Sequence, residues 1–138
     1  MRRSGVALLA ALAFGIATVG AAVAEGDAVT TQNGHEFVCT GVGIYARSDP
    51  RWPAFPLKMV FAAGNGDYLG DVSVNLTDAG GKTVIVAHCE APWLLAKLPA
   101  GRYQAELVAN GEHNKTVQVD VPSVGQTQLV VAFPEIKG

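Results

Sequence analysis

From residue 35 onward the chain reads as short apolar–polar alternations broken by turn signals about every ten residues, with no helical period. A chain patterned this way is expected to be all-β, an Ig-like or transthyretin-like β-sandwich of seven to eight strands. The clearest alternation covers residues 68–77, with Val72, Val74 and Leu76 inward and Asp71, Ser73, Asn75 and Thr77 outward. Asp78-Ala79-Gly80-Gly81 reads as a hairpin turn into residues 82–89, where Val84 and Val86 alternate again. Asn110-Gly111 is the strongest short hairpin signal, because both residues accept positive φ. Further strands are expected over residues 35–46, 57–63, 92–98, 102–109, 113–121 and 126–133.

Residues 92–103 organise the rest. Trp93, Leu94, Leu95 and Leu98 form an apolar strand, Pro99 fixes φ for a turn, and Gly101 lets the chain reverse. Tyr103 opens the next alternation, where its ring can lie beneath the corner and its hydroxyl can reach nearby backbone. Everything before this corner is expected to supply one half of the sandwich, and everything after it the other.

Arg2 and Arg3 precede an apolar run over residues 5–23, which ends in Ala22-Val23-Ala24 before Glu25. A basic start, an apolar centre and an A-x-A site predict a signal peptide over residues 1–24 and an exported, periplasmic or secreted product. The run is near the length of a membrane span, so an uncleaved anchor is the alternative and the only membrane contact expected. Residues 25–34 are polar and small and read as a disordered leader, leaving the sandwich domain at residues 35–134. Without Arg2 and Arg3 the chain keeps eight Lys and Arg against twelve Asp and Glu. That balance shows no basic stripe and argues against a nucleic-acid partner. Cys39 and Cys89 are the only cysteines, and an even count in an oxidising compartment reads as one disulfide. A redox-active pair is the rival reading, but the C-x-x-C spacing is missing.

Chemistry has few candidates. The Pro-rich stretch 47–56 carries Arg47, Arg51, Trp52 and Phe55, with Tyr45 just before it. Exposed aromatics beside guanidinium groups suit contact with a protein, peptide or carbohydrate. Loop 45–57 is therefore the expected contact surface for an unknown protein or small ligand of the cell envelope. Its rival role is structural, with Trp52 and Phe55 folded down as a lid over an open sheet edge. A metal-binding or hydrolytic alternative rests on His35, His88 and His113, although none of them shows close ligand spacing. Ser48, Ser73 and Ser123 have no histidine at a recognisable motif distance, so no catalytic residue, metal or cofactor is expected.

The run Asp71-Val72-Ser73-Val74-Asn75-Leu76-Thr77 with its turn through Gly81, the apolar strand at 93–98, the corner Leu98-Pro99-Ala100-Gly101-Arg102-Tyr103 and the closing valine strands together resemble the carboxypeptidase regulatory-like domains. These share a transthyretin-like (prealbumin-like) β-sandwich. The corner fits the family's L-x-P-G-x-Y with one extra residue between Pro and Gly, and the similarity covers about residues 57–133. The preceding stretch looks like that of small exported proteins of Gram-negative bacteria that carry this domain. The resemblance implies a non-catalytic module that assists folding, presents a surface or binds a ligand. One enzyme family of the transthyretin-like fold, which hydrolyses 5-hydroxyisourate, carries a Tyr-Arg-Gly-Ser tetrapeptide, and Pro134-Glu135-Ile136-Lys137-Gly138 does not match it.

Overall fold

A computed structural model describes residues 26–137. The signal peptide expected over residues 1–24 lies outside the described residues. Nine strands form two sheets: β1 (Thr30–Gln32), β2 (His35–Thr40), β3 (Leu57–Ala63), β4 (Val72–Asp78), β5 (Thr83–Cys89), β6 (Trp93–Ala96), β7 (Gly101–Ala109), β8 (His113–Val121) and β9 (Thr127–Phe133). The five-stranded sheet runs β1-β2-β6-β3-β9 and the four-stranded sheet β5-β4-β7-β8. The all-β sandwich expected from the alternation is the observed architecture, with nine strands among the described residues where seven or eight were anticipated.

The period-two pattern holds in β4 and β7. In β5 it breaks at a bulge, where Val84 and Ile85 are both buried, so that Ala87 faces inward and Val86, expected to alternate with Val84, is exposed. Val72, Val74 and Leu76 of β4 and Tyr103, Ala105, Leu107 and Ala109 of β7 face the same core as Leu57, Met59 and Phe61 of β3. Leu94, Ala96 and Phe133 of the five-stranded sheet complete it. The corner at Pro99 does carry the chain from one sheet to the other. The halves, however, do not follow chain order. β4 and β5, which precede the corner, belong to the second sheet, where β4 pairs with β7, while β9 returns to lie parallel to β3.

β6 explains its own unbroken apolar run. All four of its residues are buried, with Leu94 and Ala96 in the main core and Trp93 and Leu95 in a second cluster on the sheet's outer face. A strand covered on both faces reads as continuous apolar sequence. The cover is the Pro-rich stretch: Trp52 and Phe55 join Val38, Val60, Trp93 and Leu95 outside the sheet.

Several boundaries differ from the sequence expectation. β2 stops at Thr40 instead of continuing to Ala46, because Gly41 and Gly43 take φ of 108° and 88°. A Cβ at Gly41 would lie 2.8 Å from the Trp93 ring, so glycine is required where the chain passes over β6. Residues Ile44–Arg47 then form a single helical turn, α1. The expected leader at 25–34 is ordered from residue 26 and contributes β1, which pairs with β2. The expected tail also packs back: Ile136 is buried and its carbonyl accepts from Gly64 N at 2.7 Å.

A disulfide joins Cys39 on β2 to Cys89 on β5 and so ties the two sheets, as the cysteine count implied. Such a bond belongs to an oxidising compartment. No described helix is long and apolar enough to cross a membrane.

Candidate functional site

The five residues expected at a contact surface separate into two groups. Trp52 and Phe55 are 3% and 2% exposed, which corrects their expected role as surface contacts. Their rings meet edge to face at 5.7 Å, and Trp52 Nε1 donates to Ala46 O at 2.6 Å. The Gln126 amide donates to both Trp52 O and Phe55 O at 2.9 Å, pinning the turn to the start of β9. The physical reason is the bare outer face of β2, β6 and β3, whose Val38, Leu95 and Val60 need cover. The cover lies over that face and not over a sheet edge.

Arg51 supports the same cover. Its guanidinium lies 4.5 Å from the Trp52 ring centre, pairs with Asp49 at 2.7 Å and donates to Asp27 O at 3.0 Å. The hydrogen bond from Arg51 holds the Asp49 carboxyl below the ordinary carboxylate range and raises the Arg51 pKa in turn. Arg47 donates to Gly41 O at 3.1 Å and stacks 5.6 Å from the Tyr68 ring.

Tyr45 is different. It is 90% exposed, flanked by Ile44 at 68% and Val42 at 70%, and α1 buries none of its residues. This turn is nonetheless ordered, closed by Arg47 N to Gly43 O at 3.1 Å and by the Ser48 hydroxyl bonded to Ile44 O. Beside it lies a groove of about 680 Å³ lined by Asp27, Val42, Tyr45, Asp49 and Arg51 among others. A second hollow of about 280 Å³, between Val42, Arg47, Tyr68 and Glu90, continues the surface.

The histidines do not converge among the described residues. His35 opens β2 opposite Gln32, and His113 opens β8 with Glu135 at 3.3 Å. His88 on β5 has the richest surroundings. Its Nδ1 lies 2.9 Å from Ser73 Oγ, and its Nε2 lies 3.0 Å from Asp71 Oδ1 and 2.9 Å from Glu90 Oε2. The contact with Ser73 escaped the sequence reading because of one bulge. Counting back from Thr77↔Thr83 pairs Ser73 with Ala87, but a register shift between Leu76 and Thr77 brings it opposite His88. Serine, histidine and carboxylate here are in line, yet the serine meets Nδ1 and the carboxylates Nε2, the reverse of a hydrolase triad. The group is open to water on the sheet surface.

No protein-family model matches the chain, and no curated protein matches it either.

Proposed function

We propose that this chain is an exported, periplasmic or secreted, non-enzymatic β-sandwich that acts as a binding or accessory module of the cell envelope. Its contact surface is the outward side of α1 and the groove beside it, with Tyr45 as the anchor. One observation carries the reading: Ile44 and Tyr45 on an ordered turn, and Val42 just before it, stand in water and contribute nothing to either core. Burying large apolar side chains is favourable, so a cluster left outside on a fixed support suits a partner that covers it. Trp52, Arg51 and Asp49 hold that support in place before any partner arrives, which lowers the ordering cost of association. The partner this surface suits presents apolar side chains, and Arg47 at its rim favours an acidic group beside them.

Export is supported by the Arg2-Arg3 start, the apolar run and Ala22-Val23-Ala24, together with the Cys39–Cys89 bond. The likeness of the 98–103 corner to carboxypeptidase regulatory-like domains supports an accessory role of the same kind.

Site-specific photocrosslinking in cells expressing the chain tests the surface. A photoreactive phenylalanine analogue at Tyr45 is expected to capture a discrete partner, while the same group at Val124, equally open but on the β8–β9 turn, captures none. Tyr45→Ala then weakens binding of the purified partner by about tenfold or more. Equal capture from both positions, or full affinity in Tyr45→Ala, would reject the assignment.

A further inference from the structure

The His88 cluster meets the hollow beside α1 at Glu90 and has a chemistry of its own. Asp71, His88 and Glu90 each offer one ligand atom, and the three atoms lie within 4.8 Å of one another. Both carboxylate oxygens sit at about hydrogen-bond distance from the same ring nitrogen, 3.0 Å and 2.9 Å from Nε2. A nitrogen carries at most one proton, so two carboxylates around it leave negative charge uncompensated. Among the described residues no lysine or arginine lies within salt-bridge distance of either carboxylate.

The three donors are held by backbone. Val72 pairs with Cys89 across β4 and β5, which sets Asp71 and Glu90 side by side just beyond the last rung. Asp71 adopts φ of 59°, and its carbonyl accepts from Asn110 N at 2.9 Å. Gly70 passes so close to Glu90 that a Cβ there would lie 2.1 Å from the Glu90 carbonyl oxygen. On the far side of the ring, the Ser73 hydroxyl meets Nδ1 and fixes the imidazole plane.

We propose that Asp71, His88 and Glu90 form a binding site for a divalent transition-metal ion of the zinc type. Ligand atoms around a tetrahedral zinc ion lie about 3.3 Å apart, given bond lengths near 2.0–2.1 Å. The two nitrogen–oxygen distances therefore open by a few tenths of an ångström to admit one, while the two carboxylate oxygens, within 4.8 Å of each other, adjust to the same spacing. The ion binds the Nε2 lone pair of the neutral ring in its Nδ1–H tautomer. A ring that starts as the Nε2–H tautomer gives that proton to solvent and takes one up at Nδ1, and Nδ1–H then donates to Ser73 Oγ. This is the outer hydrogen bond that histidine ligands ordinarily make. The imidazole selects zinc or copper over calcium and magnesium, which prefer oxygen-only sites. With three protein ligands in an exposed site, further coordination positions stay open to water or to a donor from another molecule.

The test is a zinc titration of the disulfide-bonded chain without a polyhistidine tag, followed by calorimetry and by NMR of the histidine rings. One zinc per chain is expected, moving the His88 ring signals and leaving those of His35 and His113 in place. His88→Ala, Asp71→Asn and Glu90→Gln each weaken binding by about tenfold or more. Asn tolerates the positive φ at position 71, and circular dichroism verifies that each variant is folded. His35→Ala and His113→Ala bind as wild type. The proposal is overturned by zinc affinity that survives His88→Ala, by no zinc binding in the sub-millimolar range, or by calcium binding as tightly as zinc. None of these outcomes bears on the Tyr45 surface, whose crosslinking is read separately.

Discussion

The phenol of Tyr103 sits beneath the turn that carries the chain between sheets and donates to Pro99 O at 2.7 Å. Burial, with a smaller contribution from Asp78, raises its pKa above the ordinary tyrosine value. A raised pKa means that the folded state keeps its proton where the unfolded chain has lost it. Stability from this group is therefore complete below about pH 10 and falls as pH climbs through the higher folded value. Lys58, whose pKa burial lowers, acts in the opposite sense near the same range, so a comparison with a single variant is needed to isolate the tyrosine. Tyr103→Phe is expected to cost about 1 kcal/mol at neutral pH. The gap to wild type should shrink above about pH 10, as read from urea melts at several pH values. A gap that stays constant would remove the tyrosine from the alkaline limb. This role was legible in the sequence because everything it needs, a Pro turn and an alternating strand start, lies within five positions. The roles of Trp52 and Phe55 were not, since a lid and a contact surface share one local sequence. Their burial is decided by Val38, Val60, Trp93 and Leu95, which belong to three other strands.

The β1–β2 hairpin shows the limit of reading one element at a time. Residues 25–34 are too polar to look like a strand, yet the polar side chains are what the hairpin uses. Gln32 accepts from Val86 N at 2.6 Å and donates to Val86 O at 3.0 Å, while Asn33 donates to Val84 O at 3.1 Å. β5 is an edge strand, and these side-chain amides occupy hydrogen-bonding groups that another chain could otherwise pair with. Gln32→Ala is expected to lose about 1 kcal/mol and to raise the rate of self-association on heating. Light scattering under a temperature ramp measures this, and unchanged scattering would mean that the edge is protected by something else. Elsewhere the boundaries of β3 and β8 were readable to the residue, since apolar alternation and turn chemistry agree there. α1 read as a strand because Val42, Ile44 and Tyr45 are β-prone. What breaks the strand is the positive φ at Gly41, where the chain passes close over Trp93, and again at Gly43. The His88 cluster was hidden by a one-residue bulge, which no alternation count can detect.

Taken whole, the molecule has three layers where a sandwich needs two: the four-stranded sheet, the five-stranded sheet, and a non-repetitive cover of loop and helical turn. The cover lets β6 be apolar on both faces, and it sets α1 on the outside with Tyr45 in water. The Cys39–Cys89 bond ties the sheets across a loop of 50 residues, a length for which chain-entropy reasoning gives roughly 4 kcal/mol. Stabilities of single domains are only about 5–15 kcal/mol, so a cross-link of this size contributes visibly to the total. The loop therefore divides in two, a buried part that holds the fold and an exposed part that is free to bind. Urea unfolding of Trp52→Ala and Tyr45→Ala beside the wild-type chain separates these parts. Trp52→Ala is expected to lose about 3–5 kcal/mol, and Tyr45→Ala to stay within about 0.5 kcal/mol of wild type. Wild-type stability in Trp52→Ala, or a comparable loss in Tyr45→Ala, would contradict that division.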